Sequence, residues 1–154
     1  MAKEIERKFL VNGDEWRKGA TGSVYHQGYL CHTPERTVRV RLATGRGFVT
    51  IKGVTKGAVR DEFEYEVPAA DAKAMLAHLC EKPLIEKTRY LVKHAGLTWE
   101  IDEFHGDNAG LIVAEVELQS ADQQIEKPAW IGLEVTDDPR YYNANLVNRP
   151  FKAW

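Results

Sequence analysis

Six stretches of this chain, each rich in apolar or β-branched residues, carry two like charges two residues apart: Glu4/Glu6, Arg39/Arg41, Glu62/Glu64, Lys87/Arg89, Glu100/Asp102 and Glu115/Glu117. In an extended strand, side chains two apart share a face. Each pair therefore loads one face with one sign of charge, while Ile5, Val40, Phe63, Thr88, Ile101 and Val116 turn the other way. A solvated face normally mixes signs, because like charges on one strand repel. The signs are also segregated along the chain. Residues 36–60 hold seven basic side chains and no acid, and residues 100–126 hold eight acids and neither Lys nor Arg, although the net charge is only −2. Charge blocks of this length commonly mark disordered tails. Here Val, Ile, Phe and Trp are interleaved with them, which requires folded strands. The pattern is satisfied by strands that close on themselves with their charged faces inward, basic strands opposite acidic ones.

The remaining punctuation agrees with a mainly β domain spanning residues 1–154. Strands are predicted over 4–11, 24–30, 37–42, 48–53, 59–67, 84–92, 97–104, 111–118 and 130–136, separated by turn signals such as Asn12-Gly13-Asp14, Thr44-Gly45-Arg46-Gly47 and His105-Gly106-Asp107-Asn108. One clear helix follows Pro68. Asp71 lies in its first turn, Ala72, Met75, Leu76 and Leu79 form an apolar stripe, and Lys82-Pro83 ends it. Asp14 is placed to cap a short turn of helix through Lys18, Ser120 to cap another over 121–125, and a last short helix is predicted near 142–147. Successive strands joined by tight turns give an α+β, mainly β class: a closed eight-stranded antiparallel barrel with a few short helices outside. Inward charges leave apolar outer faces, whose expected cover is the helix at 70–80, the Trp-rich C-terminal end and a homodimer contact.

Composition narrows the function classes. The chain is 44% hydrophobic and 29% charged, as in soluble globular proteins, and its net charge disfavours a nucleic-acid binder. No apolar run approaches the roughly 18 residues of a membrane helix. The charged N-terminus does not resemble a signal peptide, and Cys31 and Cys80 have no CxxC spacing, which suits the cytoplasm. Buried charges can stay ionised only if water, metal or a charged ligand completes them. Arg binds phosphate oxygens with a planar fork, and clustered carboxylates suit Mg²⁺ or Mn²⁺ shared with substrate phosphates. The five histidines are scattered, and no His or Cys cluster suggests zinc. A lipocalin-like carrier needs an apolar lumen, and surface-charged strands around an ordinary core would have no affinity for anions.

The ordered series Glu4-Ile5-Glu6-Arg7-Lys8, Arg39-Val40-Arg41, Thr50-Ile51-Lys52-Gly53, Glu62-Phe63-Glu64, Lys87-Thr88-Arg89-Tyr90, Trp99-Glu100-Ile101-Asp102 and Glu115-Val116-Glu117-Leu118 resembles the CYTH superfamily, the triphosphate tunnel metalloenzymes. The first of these fits the family's ExExK signature. The tail from Trp130-Ile131-Gly132 to Tyr141-Tyr142-Asn143 is similar to the short bacterial members. The resemblance implies an eight-stranded tunnel and a divalent-metal-dependent triphosphatase acting on inorganic tripolyphosphate or a related triphosphate, with Mg²⁺ or Mn²⁺. It assigns phosphate binding to Lys8, Arg39, Arg41, Lys52, Lys87 and Arg89. It assigns metal binding to Glu4, Glu6, Asp102, Glu115 and Glu117, with Glu62 and Glu64 completing the charge balance as further metal contacts. Glu4, Glu6, Lys8 and Lys52 are the residues on which turnover is expected to depend. The alternatives within reach of the same tunnel are an adenylyl cyclase of the class IV type and a non-catalytic polyphosphate- or nucleotide-binding module.

Overall fold

The computed structural model describes residues 3–154, and eight strands among them close a ring. The strands are β1 (Lys3–Val11), β2 (Gly22–His32), β3 (Thr37–Ala43), β4 (Arg46–Lys52), β5 (Val59–Val67), β6 (Ile85–His94), β7 (Leu97–Phe104) and β8 (Ile112–Glu117), with β9 (Ile131–Glu134) added outside the ring. The ring runs β1-β5-β4-β3-β2-β6-β7-β8 and back to β1, and every neighbouring pair is antiparallel. The helices are α1 (Ala69–His78) and α2 (Asn143–Asn148). Strand β1 closes the barrel by dividing one edge between two partners. Lys3–Ile5 pair with β5, and further along Phe9 and Val11 pair with β9. Its other edge pairs with β8 from Glu6 to Leu10.

Local chemistry explains the hairpins. The β3–β4 turn is Thr44-Gly45 at φ 51° and 75°, and the β6–β7 turn is Ala95-Gly96 at φ 50° and 80°. Two successive left-handed residues match the right-handed twist of the flanking strands, and glycine at the second position removes half of the steric penalty. Gly47 has a different reason: a Cβ there would lie 2.6 Å from the Ala72 methyl, so its absence lets α1 settle on β4.

Three separate apolar clusters hold the barrel, and one of them is inside it. The charged inner faces of β1, β6, β7 and β8 turn apolar towards one end, at Leu10, Ile85, Phe104 and Val113. There they meet Ala144, Leu146 and Val147 of α2, together with Tyr29 and Tyr141. The C-terminal helix therefore plugs one end of the lumen, and Trp154 stacks edge-on against Tyr141 and Phe151 to hold it. Outside, Phe9, Trp16, Trp99, Ile101, Ala114 and Val116 form a second cluster, closed over by Trp130. Val40, Ala72, Leu76 and Cys80 form the third, beneath α1.

Several expectations are corrected. Residues 121–125 are not helical: Gln123 accepts from the Gln119 amide and Ser120 donates to Asp122, local bonds that compete with a helical turn. The short turn after Asp14 forms as a 3₁₀ turn over Glu15–Arg17 with Asp14 at its N-cap position, but the Asp14 side chain caps no backbone N–H and accepts from Arg17 Nε at 3.2 Å instead. Helix α1 stops at His78, four residues before Lys82, and Leu79 is exposed instead of completing the stripe. Trp130 covers the outer face as expected, but Trp154 serves the inner plug. Ile51, Phe63 and Tyr65 on the outside of β4 and β5 stay exposed.

Candidate active site

Strand alternation aims the charge pairs at a common lumen. The cavity has a volume of about 640 Å³, and every candidate residue but Asp102 lines it: Glu4, Glu6, Lys8, Arg39, Arg41, Lys52, Glu62, Glu64, Lys87, Arg89, Glu115 and Glu117. Their strands run in ring order, so the cations of β3 and β6 lie on one side of the acids of β1, β5 and β8. The lumen thus has a basic wall and an acidic wall.

The basic wall is tied together by hydrogen bonds. Lys87 and Asp102 are each only 1% exposed, with Lys87 Nζ 2.8 Å from Asp102 Oδ2. Arg89 grips the same carboxylate with Nε and Nη2 at 2.7 and 2.9 Å, and donates through Nη1 to Glu100 at 3.1 Å. Asp102 therefore serves as the buried counter-ion of two cations behind the lining, and the other acid of its strand, Glu100, reaches the cavity. Arg41 Nε donates to Gln27 Oε1 at 3.3 Å, and its guanidinium shares the ring of Tyr25 with Arg89, at 4.9 and 5.0 Å. Arg39 Nη2 donates to Thr50 Oγ1 at 3.1 Å and contacts Glu64 at 3.5 Å, while its buried Nε has no partner.

This wall carries more positive charge than its acids neutralise. Burial, with repulsion from Arg89 and Arg41, pulls Lys87 down to about 7 despite Asp102. Burial and the charges of Arg39 and Arg89 bring Arg41 down to about 10. Asp102 goes the other way: burial opposes its ionisation, but Arg89 and Lys87 hold it well below the usual carboxylate range.

The acidic wall carries the opposite excess. Burial pushes Glu4 up, but Lys52, with Nζ 2.9 and 3.0 Å from its two oxygens, more than offsets this and lowers it. Lys52 also reaches Glu62 at 3.4 Å, yet burial and the neighbouring Glu4 raise Glu62 to about 7. Lys8 lies 3.7 Å from Glu115 and, against burial, brings it down to about 2. Among the described residues Glu6 has no ion-pair partner, and burial together with the charges of Glu115 and Glu4 raises it well above its ordinary value. Like-charge crowding of this kind is relieved by a cation.

The donors suit a hard divalent ion. They are all carboxylate oxygens, and the acids that need neutralising, Glu6 and Glu62, have their charge opposed by their neighbours. Among the described residues no three acidic, His or Cys side chains are already drawn together around one point.

Sequence reasoning missed several residues of the site. Tyr29 of β2 lines the cavity, and Tyr25 and Gln27 on the same face stand behind the lining against Arg41, an inner face that alternation alone would have indicated. Tyr142 and Asn143 enter from the C-terminal segment, and no periodicity in the sequence marks them. Lys8 Nζ donates to the Tyr141 carbonyl at 3.3 Å and lies 5.4 Å from the Tyr142 ring, so this segment touches the site directly.

Comparison with known proteins agrees with this geometry. The CYTH domain family matches residues 2–149. The chain is 50% identical over 152 residues to an inorganic triphosphatase of Acetivibrio thermocellus, covering 99% of this chain and 97% of that one. It is 38% identical over 150 residues to an inorganic triphosphatase of Nitrosomonas europaea, covering 94% and 96%. A crystal structure of an inorganic triphosphatase superposes with a TM-score of 0.65 at 34% identity, covering 96% of this chain and 95% of that one.

Proposed function

The chain belongs to the CYTH domain family, and from that premise we propose that it is a metal-dependent hydrolase that removes the terminal phosphate of inorganic tripolyphosphate inside the lumen. The observation that carries the reading is the charge imbalance of both walls. A buried Arg39 Nε without a partner, beside an under-neutralised Arg41 and Lys87, is an anion site. The crowded Glu6 and Glu62 across the lumen are a cation site. A triphosphate bound with a divalent ion supplies both missing charges at once.

On this reading Arg39, Arg41 and Arg89 hold the phosphate chain through their guanidinium forks. Lys87 uses two donors on Asp102 and Asn143 and keeps a third for substrate. Lys8 and Lys52, the cations lodged among the acids, meet the terminal phosphate. Glu4, Glu6, Glu62, Glu115 and Glu117 hold Mg²⁺ or Mn²⁺, and Glu64 balances Arg39. The ion supplies charge neutralisation and activation of water near neutral pH. Water adds to the terminal phosphorus as the bridging P–O bond breaks, giving orthophosphate and pyrophosphate, and positioning and electrostatics do most of such work. Cys31 and Cys80 are both free, and no helix among the described residues is long and apolar enough to cross a membrane. We place the protein in the cytoplasm.

The test is orthophosphate release from tripolyphosphate, ATP and thiamine triphosphate, each with Mg²⁺ and with Mn²⁺. Release that is fastest from tripolyphosphate and absent without metal is expected. Cyclic AMP from ATP, or tight tripolyphosphate binding without release, would overturn the proposal.

A further inference from the structure

A chain of hydrogen bonds on the basic wall fixes the orientation of one uncharged side chain. Arg41 can only donate, so the atom of Gln27 that meets its Nε at 3.3 Å is the carbonyl oxygen Oε1. The Gln27 amide group then faces the other way. Its Nε2 donates to Asn143 at 3.2 Å and also meets the Tyr29 hydroxyl at 3.4 Å. Gln27 is fully buried, which leaves it no solvent with which to satisfy a flipped amide. Lys87, likewise a donor only, reaches the same Asn143 atom at 2.9 Å. Two donors converging on one atom make it Oδ1. The Asn143 Nδ2 group must then point elsewhere, and among the described residues it has no hydrogen-bond partner, although Asn143 lines the lumen.

We propose that Asn143 is a substrate-binding residue that donates Nδ2–H to a phosphate oxygen of the bound triphosphate. Asn143 opens α2, so the segment that plugs the lumen also reads the ligand. A neutral amide among cations adds a directional bond to an anionic oxygen without adding to the repulsion between Lys87, Arg89 and Arg41. The inference rests on the phosphate-binding reading of this wall given above.

Two substitutions separate donation to substrate from mere support of Lys87. Asn143→Asp keeps an acceptor for Lys87 and Gln27 but replaces the free donor with an anionic oxygen. Asn143→Ala removes both roles without adding charge. If Asn143 donates to phosphate, KM for tripolyphosphate rises about tenfold in Asn143→Ala and by about a further factor of ten in Asn143→Asp. If it only supports Lys87, Asn143→Asp retains a KM at or below that of Asn143→Ala, and the proposal fails. A measurement on the unsubstituted chain is independent of how the variants fold. The ¹⁵N side-chain amide signal of Asn143 is followed as tripolyphosphate is added without divalent metal. Movement of this signal together with the Arg39 and Arg41 backbone amides is the expected result. Movement of the two arginine amides alone overturns the role of Asn143, and a spectrum that does not change at all counts against the whole phosphate-binding reading.

Discussion

The two walls of the lumen handle buried charge by opposite means. On the basic wall one carboxylate, Asp102, anchors two cations, and Gln27, Asn143, Thr50 and the Tyr25 ring position the rest. Its side chains are held in place before any ligand arrives. On the acidic wall the two lysines satisfy Glu4 and Glu115, and Glu6 and Glu62 are left crowded by their neighbours. Each side is built for a different component of the ligand. A wall that must meet a polyanion of fixed shape gains from preorganised donors. A wall that must meet a small ion shared with substrate can leave its carboxylates apart until the ion draws them together.

Removing the anchor should break the basic wall outright. Asp102→Asn leaves Lys87 buried without a counter-charge and Arg89 with Glu100 alone, and the expected loss is about 3–5 kcal/mol of stability, read from denaturant unfolding. The same kind of change on the acidic wall should do the reverse. Glu6→Gln removes a crowded charge, so at pH 8 and without metal the melting temperature should rise, while metal-dependent turnover falls about 100-fold or more, a loss typical of a removed electrostatic contact. A Glu6→Gln protein that melts lower than the unsubstituted chain would mean that Glu6 is already neutralised.

The pH dependence of metal use sharpens the contrast further. Glu62 is raised to about 7, so below that pH it holds a proton that a cation must displace. Half-saturation for Mg²⁺ should therefore shift upward by about tenfold per pH unit below 7 and level off above it. The linkage to stability has the matching sign. A carboxyl raised in the folded state favours folding at low pH, and that contribution is lost as the pH rises through 7. Metal should restore stability most at pH 8 and least at pH 5, measured by thermal shift. The smallest effect is expected at Tyr25. Tyr25→Leu removes the ring shared by Arg41 and Arg89, and KM for tripolyphosphate should rise about tenfold, with Tyr25→Phe close to normal because the ring face provides the contact.

Much of this was legible in the residues because a strand has a period of two. The like-sign pairs at i, i+2 announce inward faces, and all of those proposed as site residues line the lumen except one. The exception shows the limit of the period. Alternation says that Asp102 points inward, but not that register sets it opposite Arg89, with Lys87 close enough to share its carboxylate, so that its oxygens are used behind the lining. The apolar continuation of the charged faces at Leu10, Ile85 and Phe104 was also in plain view, and it marks where the lumen stops being polar. Which segment fills that end was not visible, because Leu146 and Val147 lie far along the chain and carry no signal of their partner.

By itself, then, the sequence determined the barrel, the sign of each inner face and the class of ligand that such faces require, since these follow from local periodicity and from the cost of burying unbalanced charge. Only the tertiary structure decided which charges neutralise each other, which are left for metal and phosphate, and that Asn143 faces the lumen with an unused donor. Those outcomes depend on cross-strand register, as between Arg89 and Asp102, and on the return of the C-terminal helix, which is set by packing between residues more than fifty positions apart, as in the bond from Lys87 to Asn143.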